Sequence, residues 1–216
     1  MADRQRSAQG RPSGSLDGFP TRRLTRATDL FRAHRADRGP WWFGNDGGGR
    51  FDLTAPRGTC YLALDPCSAV RERLGPVLGG RREVPASLLE EVLVSTLHVP
   101  APTEVADVQS REAGDFGVTR ELESMVPYAV PQAWARAFDD AGLGGVAYGP
   151  RFTPGEASAV GLFGPAGAAD RPVDPAPVQA VAVEGVPVSL APPRLADLTV
   201  VRPPRTRTTR LGQADD

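Results

Sequence analysis

Hydrophobic and polar positions alternate most cleanly in "TCYLALD", where Cys60, Leu62 and Leu64 point one way and Tyr61 and Ala63 the other. A two-residue period of this kind predicts a strand. Asp65-Pro66 follows and suits a helix start, with Asp as cap and Pro in the first helical position. The helix reads "PCSAVRERL", with an apolar stripe of Cys67, Val70 and Leu74 and with Gly75 placed to end it. Glu72 lies off that stripe, toward Ala69. A firmer helix is predicted for "PQAWARAFDDAG": Pro131 opens it, Ala133, Trp134, Ala137 and Phe138 form one apolar side, and Gly142 closes it.

The remaining pattern is weaker. "LTRATDLFRAHRA" reads as a short strand carrying Arg32 or as one helical turn. "PASLLEE" reads as a short helix passing into the strand "VLVSTLHV", and residues 117–126 as a helix. "GVAYGPRF" and "AVGLFG" are two strands joined by the "TPGE" turn, and "VQAVAVEGVPVSL" reads as a hairpin turning near Glu184-Gly185. Short strands interleaved with helices, without a G-x-G-x-x-G turn or a Walker lysine, point to an α+β domain rather than a common nucleotide fold.

Composition divides the chain. Of 216 residues, 24 are Gly and 22 are Pro, and nine of the prolines fall after residue 164. Residues 1–24 are expected to form a disordered arm, 25–164 the folded domain, and 165–216 a Pro/Gly-rich extension with a tail. The net charge of −1 gives no global field favouring nucleic acid or a membrane surface. All 25 basic residues are arginine, the mark of a GC-rich coding bias. No apolar run approaches the roughly 20 residues of a membrane span. The N-terminal stretch lacks the apolar core of a secretory signal, so a reducing cytoplasm with Cys60 and Cys67 as free thiols is expected.

A metal site is not expected. The two histidines, His34 and His98, and the two cysteines match no zinc spacing. His98, in an apolar strand, reads as a packed histidine, and His34 as one open to a polar role. "GNDGGGRFD" is richer: three glycines end in Arg50, just after Trp41, Trp42 and Phe43. Glycine allows close backbone approach, and arginine grips phosphate or carboxylate with two parallel hydrogen bonds. Arg32, Arg50, Tyr61 and Glu72 thus put two cations, an aromatic face and a carboxylate within about 40 residues. That set suits an anionic ligand with a planar ring.

These residues carry a resemblance. Phe31-Arg32, then Gly48-Gly49-Arg50-Phe51, then Cys60-Tyr61-Leu62, then Ala69 with Glu72, resemble the front half of the RES-domain family, named for an arginine, a glutamate and a serine. Residues 117–152 and "AVGLFG" are similar to its back half, so the likeness spans about residues 24–164. No single motif is specific; their order and spacing are. The resemblance implies an ADP-ribosyltransferase-like domain, with short strands and flanking helices. It also implies the toxin of a bacterial toxin–antitoxin pair, blocked by a helix-turn-helix antitoxin. The activity implied is cleavage of the nicotinamide–ribose bond of NAD⁺ by phosphorolysis or hydrolysis, or transfer of ADP-ribose to a protein. NAD⁺ would be a substrate and inorganic phosphate a co-substrate, with no permanently bound cofactor; a homodimer is one option for the assembly.

In that scheme Glu72 stabilises the oxocarbenium-like centre, Arg32 or Arg50 grips the diphosphate, and Arg32 shares in catalysis. The Gly48-Gly49 backbone approaches the ligand, Tyr61 stacks on nicotinamide, and Arg151 holds phosphate. The family serine is missing: Pro150 stands in its place, and Ser158 is the nearest serine. Either a backbone group or Arg151 substitutes, or activity is reduced or redirected, leaving a catalytically weak domain that binds NAD⁺ or a protein.

Overall fold

The computed structural model describes residues 8–78, 84–85, 88–153, 155–173, 175–186 and 188–189. In chain order the strands are β1 (Thr21–Leu24), β2 (Leu30–Arg35), β3 (Trp42–Phe43), β4 (Arg57–Ala63), β5 (Val84–Pro85), β6 (Val92–Leu97), β7 (Thr103–Asp107), β8 (Gly145–Tyr148), β9 (Ala159–Pro165), β10 (Gly167–Ala168), β11 (Val178–Gln179) and β12 (Val188–Ser189). The helices are α1 (Pro66–Leu78), after β4, and α2 (Ala129–Asp140), before β8. Eight strands form one sheet in the order β1-β7-β8-β9-β4-β2-β6-β11. All neighbours are antiparallel except β7 and β8.

Strand alternation divides the core. On one face Tyr61, Val146, Tyr148 and Phe163 pack with Trp134 and Phe138 of α2. On the same face, farther along, Ala33, Ala63 and Val94 pack with Val70 and Leu74 of α1. The opposite face is closed by Trp41, Phe43, Cys60, Leu62, Val160 and Leu162. Both helices therefore cover one face of the sheet, and β4 lies between them. Among the described residues no helix is long and apolar enough to cross a membrane.

Asp65 caps α1 as expected, its Oδ1 accepting from Ser68 N at 2.7 Å. Gly75 does not end the helix, which continues to Leu78. The glycine serves packing instead: a Cβ there would overlap the ring of Phe152. The expected helix over 117–126 is only a 3₁₀ turn, Arg120–Glu123, capped by Thr119. Pro127 follows and disfavours helical backbone at the residue before it.

The ends depart most from expectation. Residues 8–24, assigned to a disordered arm, belong to the fold. Phe19 is buried against Phe116 and Phe138, with ring centroids 5.0 and 4.9 Å away. β1 pairs with β7, and Gly10 O accepts from Trp134 Nε1 at 2.9 Å. The partners lie about 80 or more residues away, so local composition could not announce them. The boundary after residue 164 dissolves similarly: β10 pairs with β3, and β11 pairs with β6 at the sheet edge. Where a hairpin was expected, Val178–Gln179 passes into a 3₁₀ turn, and Val188–Ser189 pairs with β5 in parallel. The tail from 190 to 216 lies outside the described residues.

The histidines exchange roles. His34 is buried, its Nε2 2.8 Å from Ser95 Oγ and its Nδ1 2.7 Å from Arg38 O. His98 lies at the surface beside Asp29, 2.8 Å away.

Candidate functional site

Between α1 and α2, over the middle of the sheet, opens a cleft of about 500 Å³. Its walls include Arg32, Gly48, Gly49, Arg50, Tyr61, Glu72 and Arg151. Residues from the glycine loop, β2, β4, α1 and the segment after β8 thus meet on one concavity.

The glycine loop is held from three sides. Gly49 N donates to Asp52 Oδ2 at 2.8 Å, and the Tyr61 hydroxyl donates to Asp52 Oδ1 at 2.7 Å. Phe51 N donates to the same hydroxyl at 2.9 Å. From α2, Gln132 Nε2 donates to Gly47 O and Gly49 O, both at 3.0 Å. A Cβ on Gly49 would overlap Asp52 Oδ1 and Tyr61 Oη, so only glycine fits this turn. Burial pushes the Asp52 carboxyl up, opposed by the hydrogen bonds from Gly49 and Tyr61. Burial pushes the Tyr61 phenol well above its ordinary range, helped by the Asp52 charge.

The loop delivers Arg50. This residue is only 8% exposed, and its Nε is buried without a partner. Among the described residues it makes no ion pair; its guanidinium carbon lies 5.7 Å from the centroid of the Tyr128 ring. Tyr148, buried, packs on Phe51 at 5.1 Å and has its phenol pushed up, first by burial and then by Glu72.

Glu72 faces Arg50 from α1. Its Oε1 accepts from Phe152 N at 2.6 Å and its Oε2 from Arg151 N at 3.2 Å. Burial raises its pKa above the ordinary 4.5, while those two N–H groups and then Arg50 pull it back. The net effect is a half-buried carboxylate, clamped from behind, with lone pairs free toward the cleft. Glu123 shows the same balance: burial raises it, and the Gly149 N–H is the largest opposing influence.

Arg32 behaves differently from expectation. Its Nη1 donates to Pro40 O at 2.7 Å and Trp42 O at 2.8 Å, and lies 2.9 Å from Cys60 Sγ. Phe31 and Ala33 face the helices, so strand alternation turns Arg32 to the other face, beside Cys60. Its guanidinium braces the backbone at 40–42 rather than joining Arg50 and Glu72. Tyr61 also departs from a simple stacking role, since its hydroxyl is committed to the loop while its ring lines the cleft. Ser158 accepts from Arg22 Nη1 at 2.7 Å and donates to Gln109 Oε1 at 2.8 Å, away from the cleft. Among the described residues no serine lines the cleft. Tyr128, Tyr148, Phe152, Gln132 and Glu123 were given no role in the sequence reading, although all lie within residues 117–152, the stretch similar to the family's back half.

A model of the RES domain family matches residues 29–184. The chain belongs to this family. The match runs beyond residue 164 and takes in the extension that the structure places on the sheet. Comparison with curated proteins gives no match in sequence. Among solved structures, the crystal structure of the M. tuberculosis MbcT–MbcA toxin–antitoxin complex contains a chain similar to this RES domain. The TM-score is 0.51 at 18% identity, over 65% of this chain and 76% of that one. At that identity the likeness is one of fold, and it agrees with the mixed α+β class. Among the described residues, no group of three His, Cys, Asp or Glu side chains comes together as a metal site.

Proposed function

We propose that this RES-domain protein binds NAD⁺ in the cleft and breaks its nicotinamide–ribose bond, as the toxin of a toxin–antitoxin pair. The observation that carries the reading is Arg50: a residue 8% exposed, its Nε without a partner and with no ion pair among the described residues, beside a clamped carboxylate in one cleft. Glu72 and Glu123 feel the charge of Arg50 but neither forms an ion pair with it, so the buried guanidinium can still take up an anion. The diphosphate of a dinucleotide supplies one, and a guanidinium grips it with two parallel bonds. The cleft volume falls within the roughly 300–1,000 Å³ usual for small-molecule sites.

Glu72 is then the residue nearest the chemistry. As the bond to nicotinamide lengthens, positive charge develops on the ribose, as in glycoside cleavage. A preorganised carboxylate stabilises that charge without having to reorient, because Arg151 N and Phe152 N already hold it. The Tyr61 ring offers a surface for nicotinamide. The Gly48-Gly49 backbone approaches the diphosphate. Arg151, on the cleft wall, holds the incoming phosphate when phosphate is the acceptor. Arg32 keeps its place in the cleft wall by bracing residues 40–42.

A toxin needs a partner that silences it, and the structural neighbour is itself a toxin–antitoxin complex. Trp41 is buried, whereas Trp42 is 49% exposed on the cleft wall, an apolar contact for an antitoxin that covers the opening. The cytoplasm, where NAD⁺ is abundant and the two cysteines stay reduced, is the compartment this reading requires.

Incubation of the purified protein with NAD⁺, with and without phosphate, tests the proposal. The expected products are free nicotinamide with ADP-ribose 1″-phosphate, or with ADP-ribose when water is the acceptor. ADP-ribosylated protein would favour a transferase. Pro150 at the place of the family serine, with no serine among the described residues lining the cleft, favours one further reading, a domain that binds NAD⁺ with little turnover. NAD⁺ bound but recovered intact would establish that one and refute cleavage. Glu72→Gln should lower kcat about 100-fold or more, with the NAD⁺ dissociation constant within about threefold of the parent. An equally active variant would remove Glu72 from the mechanism.

A further inference from the structure

The carboxylate of Glu72 receives one backbone N–H on each oxygen, from Arg151 and Phe152. An ionised carboxylate has about four acceptor positions, so each oxygen can take a second donor. Pro150, just before these donors, offers neither an N–H nor a hydroxyl. Thr153, just after them, has a hydroxyl oxygen that is buried and without a hydrogen-bond partner. A buried hydroxyl left unpaired costs free energy, and the threonine side chain can rotate to relieve it. Phe152 N, one residue before it, lies 2.6 Å from Glu72 Oε1, which brings the threonine close to that carboxylate, and the threonine is one of the groups opposing the burial of that charge.

We propose that the Thr153 hydroxyl is a third donor to Glu72, a positioning contact that holds the carboxylate ionised and aimed into the cleft. The segment after β8 would then clamp one side chain with two main-chain donors and one hydroxyl, all carboxyl-terminal to Pro150. Thr153 acts through Glu72 and is not a substrate ligand; it is absent from the cleft lining. Its effect on turnover rests on the NAD⁺ reading, but its contact with Glu72 does not.

The other charged and titratable groups near Glu72 include Arg50 from the glycine loop, Tyr61 from β4, Tyr148 from β8, Tyr128 before α2, Glu123, and Arg73 and Arg151 on the cleft wall. None of them changes in a Thr153 variant, so a titration shift reports the hydroxyl alone.

The test follows the Glu72 side-chain carboxyl by ¹³C NMR as pH is varied, its signal assigned by its loss in Glu72→Gln. Thr153→Val keeps the shape and removes the donor. Its Glu72 pKa should rise by about one unit, because a hydrogen bond to an ionised group is lost. Thr153→Ser keeps the hydroxyl and should stay within a few tenths of the parent. In turnover of NAD⁺, the acidic limb of kcat should move up with the valine variant and return with serine, while KM stays unchanged. A valine variant that titrates like the parent, whether or not its Tm changes, overturns the proposal and leaves Thr153 a packing residue. Thr153→Ala takes the same measurement should the valine variant not fold. An enzyme inactive on NAD⁺ would refute the functional reading, while the NMR shift would still decide the contact.

Discussion

Arg50 and Arg32 show how far one residue type can diverge within a single site. Both are glycine- or aromatic-flanked arginines near the same cleft, and nothing in their neighbours' identities separates them. Strand parity does. Arg32 faces Cys60 and spends Nη1 on two carbonyl oxygens, whereas Arg50 leaves a glycine turn with its Nε buried and without a partner. A buried charge held ready for a ligand detracts from stability until the ligand binds. Arg50→Met should therefore leave the unliganded protein as stable as the parent or up to about 1–3 kcal/mol more stable, by chemical denaturation. The same variant should bind NAD⁺ about 100-fold more weakly or worse by calorimetry, since removing one partner of a buried charged contact costs about 2–5 kcal/mol. A large loss of stability with binding preserved would mean that Arg50 is structural.

Among the elements, α1 carries the most function for its length. Its start was legible from Asp65-Pro66, and so were its inward residues Val70 and Leu74. Its end was not, because Gly75 reads locally as a stop. The structure uses the missing side chain as a seat for Phe152, whose backbone N–H holds Glu72. A methyl group at position 75 would push that ring, and with it the donor, away from the carboxylate. Gly75→Ala should cost about 1–3 kcal/mol by overpacking, set against the gain in helix propensity. It should also lower kcat more than Tm alone would suggest. The comparison is turnover at a temperature where parent and variant are both fully folded; equal kcat there would show that Phe152 does not transmit the shift. The glycine loop illustrates the same limit. Its flexibility was evident in sequence, but its purpose, to admit Asp52, Tyr61 and Gln132 from three directions, depends on residues up to 85 positions away.

At the scale of the whole molecule, burial of two phenols couples the site to folding. Tyr61 and Tyr148 both hold their protons above the ordinary value of 10, chiefly because of burial. Above pH 10 the unfolded chain therefore loses protons that the folded protein keeps. The unfolded state binds fewer protons, so stability is intact below the ordinary phenol range and falls as pH rises beyond it. The slope approaches about 1.4 kcal/mol per pH unit for each phenol in that window. Urea unfolding from pH 9 to 12 should show this decline, and tyrosinate absorbance from these two residues should appear with unfolding rather than before it. Ionisation of both in the still-folded protein would contradict their burial.

The α+β class, most central strands and the family were readable from one sequence, because alternation and capping act over a few residues and motif order survives divergence. Arg32, Arg50, Tyr61, Glu72, Gly48, Gly49 and Arg151, singled out in the sequence, all line one cleft. What the chain could not declare locally was left to tertiary contact. Phe19 finds its aromatic partners about 100 residues on, the extension completes the sheet, and Arg32 is turned to the opposite face. Short-range patterns set which elements form. Which side chain ends buried, paired or left waiting for a ligand is decided by packing, since desolvation and hydrogen bonding depend on neighbours that only the folded chain supplies.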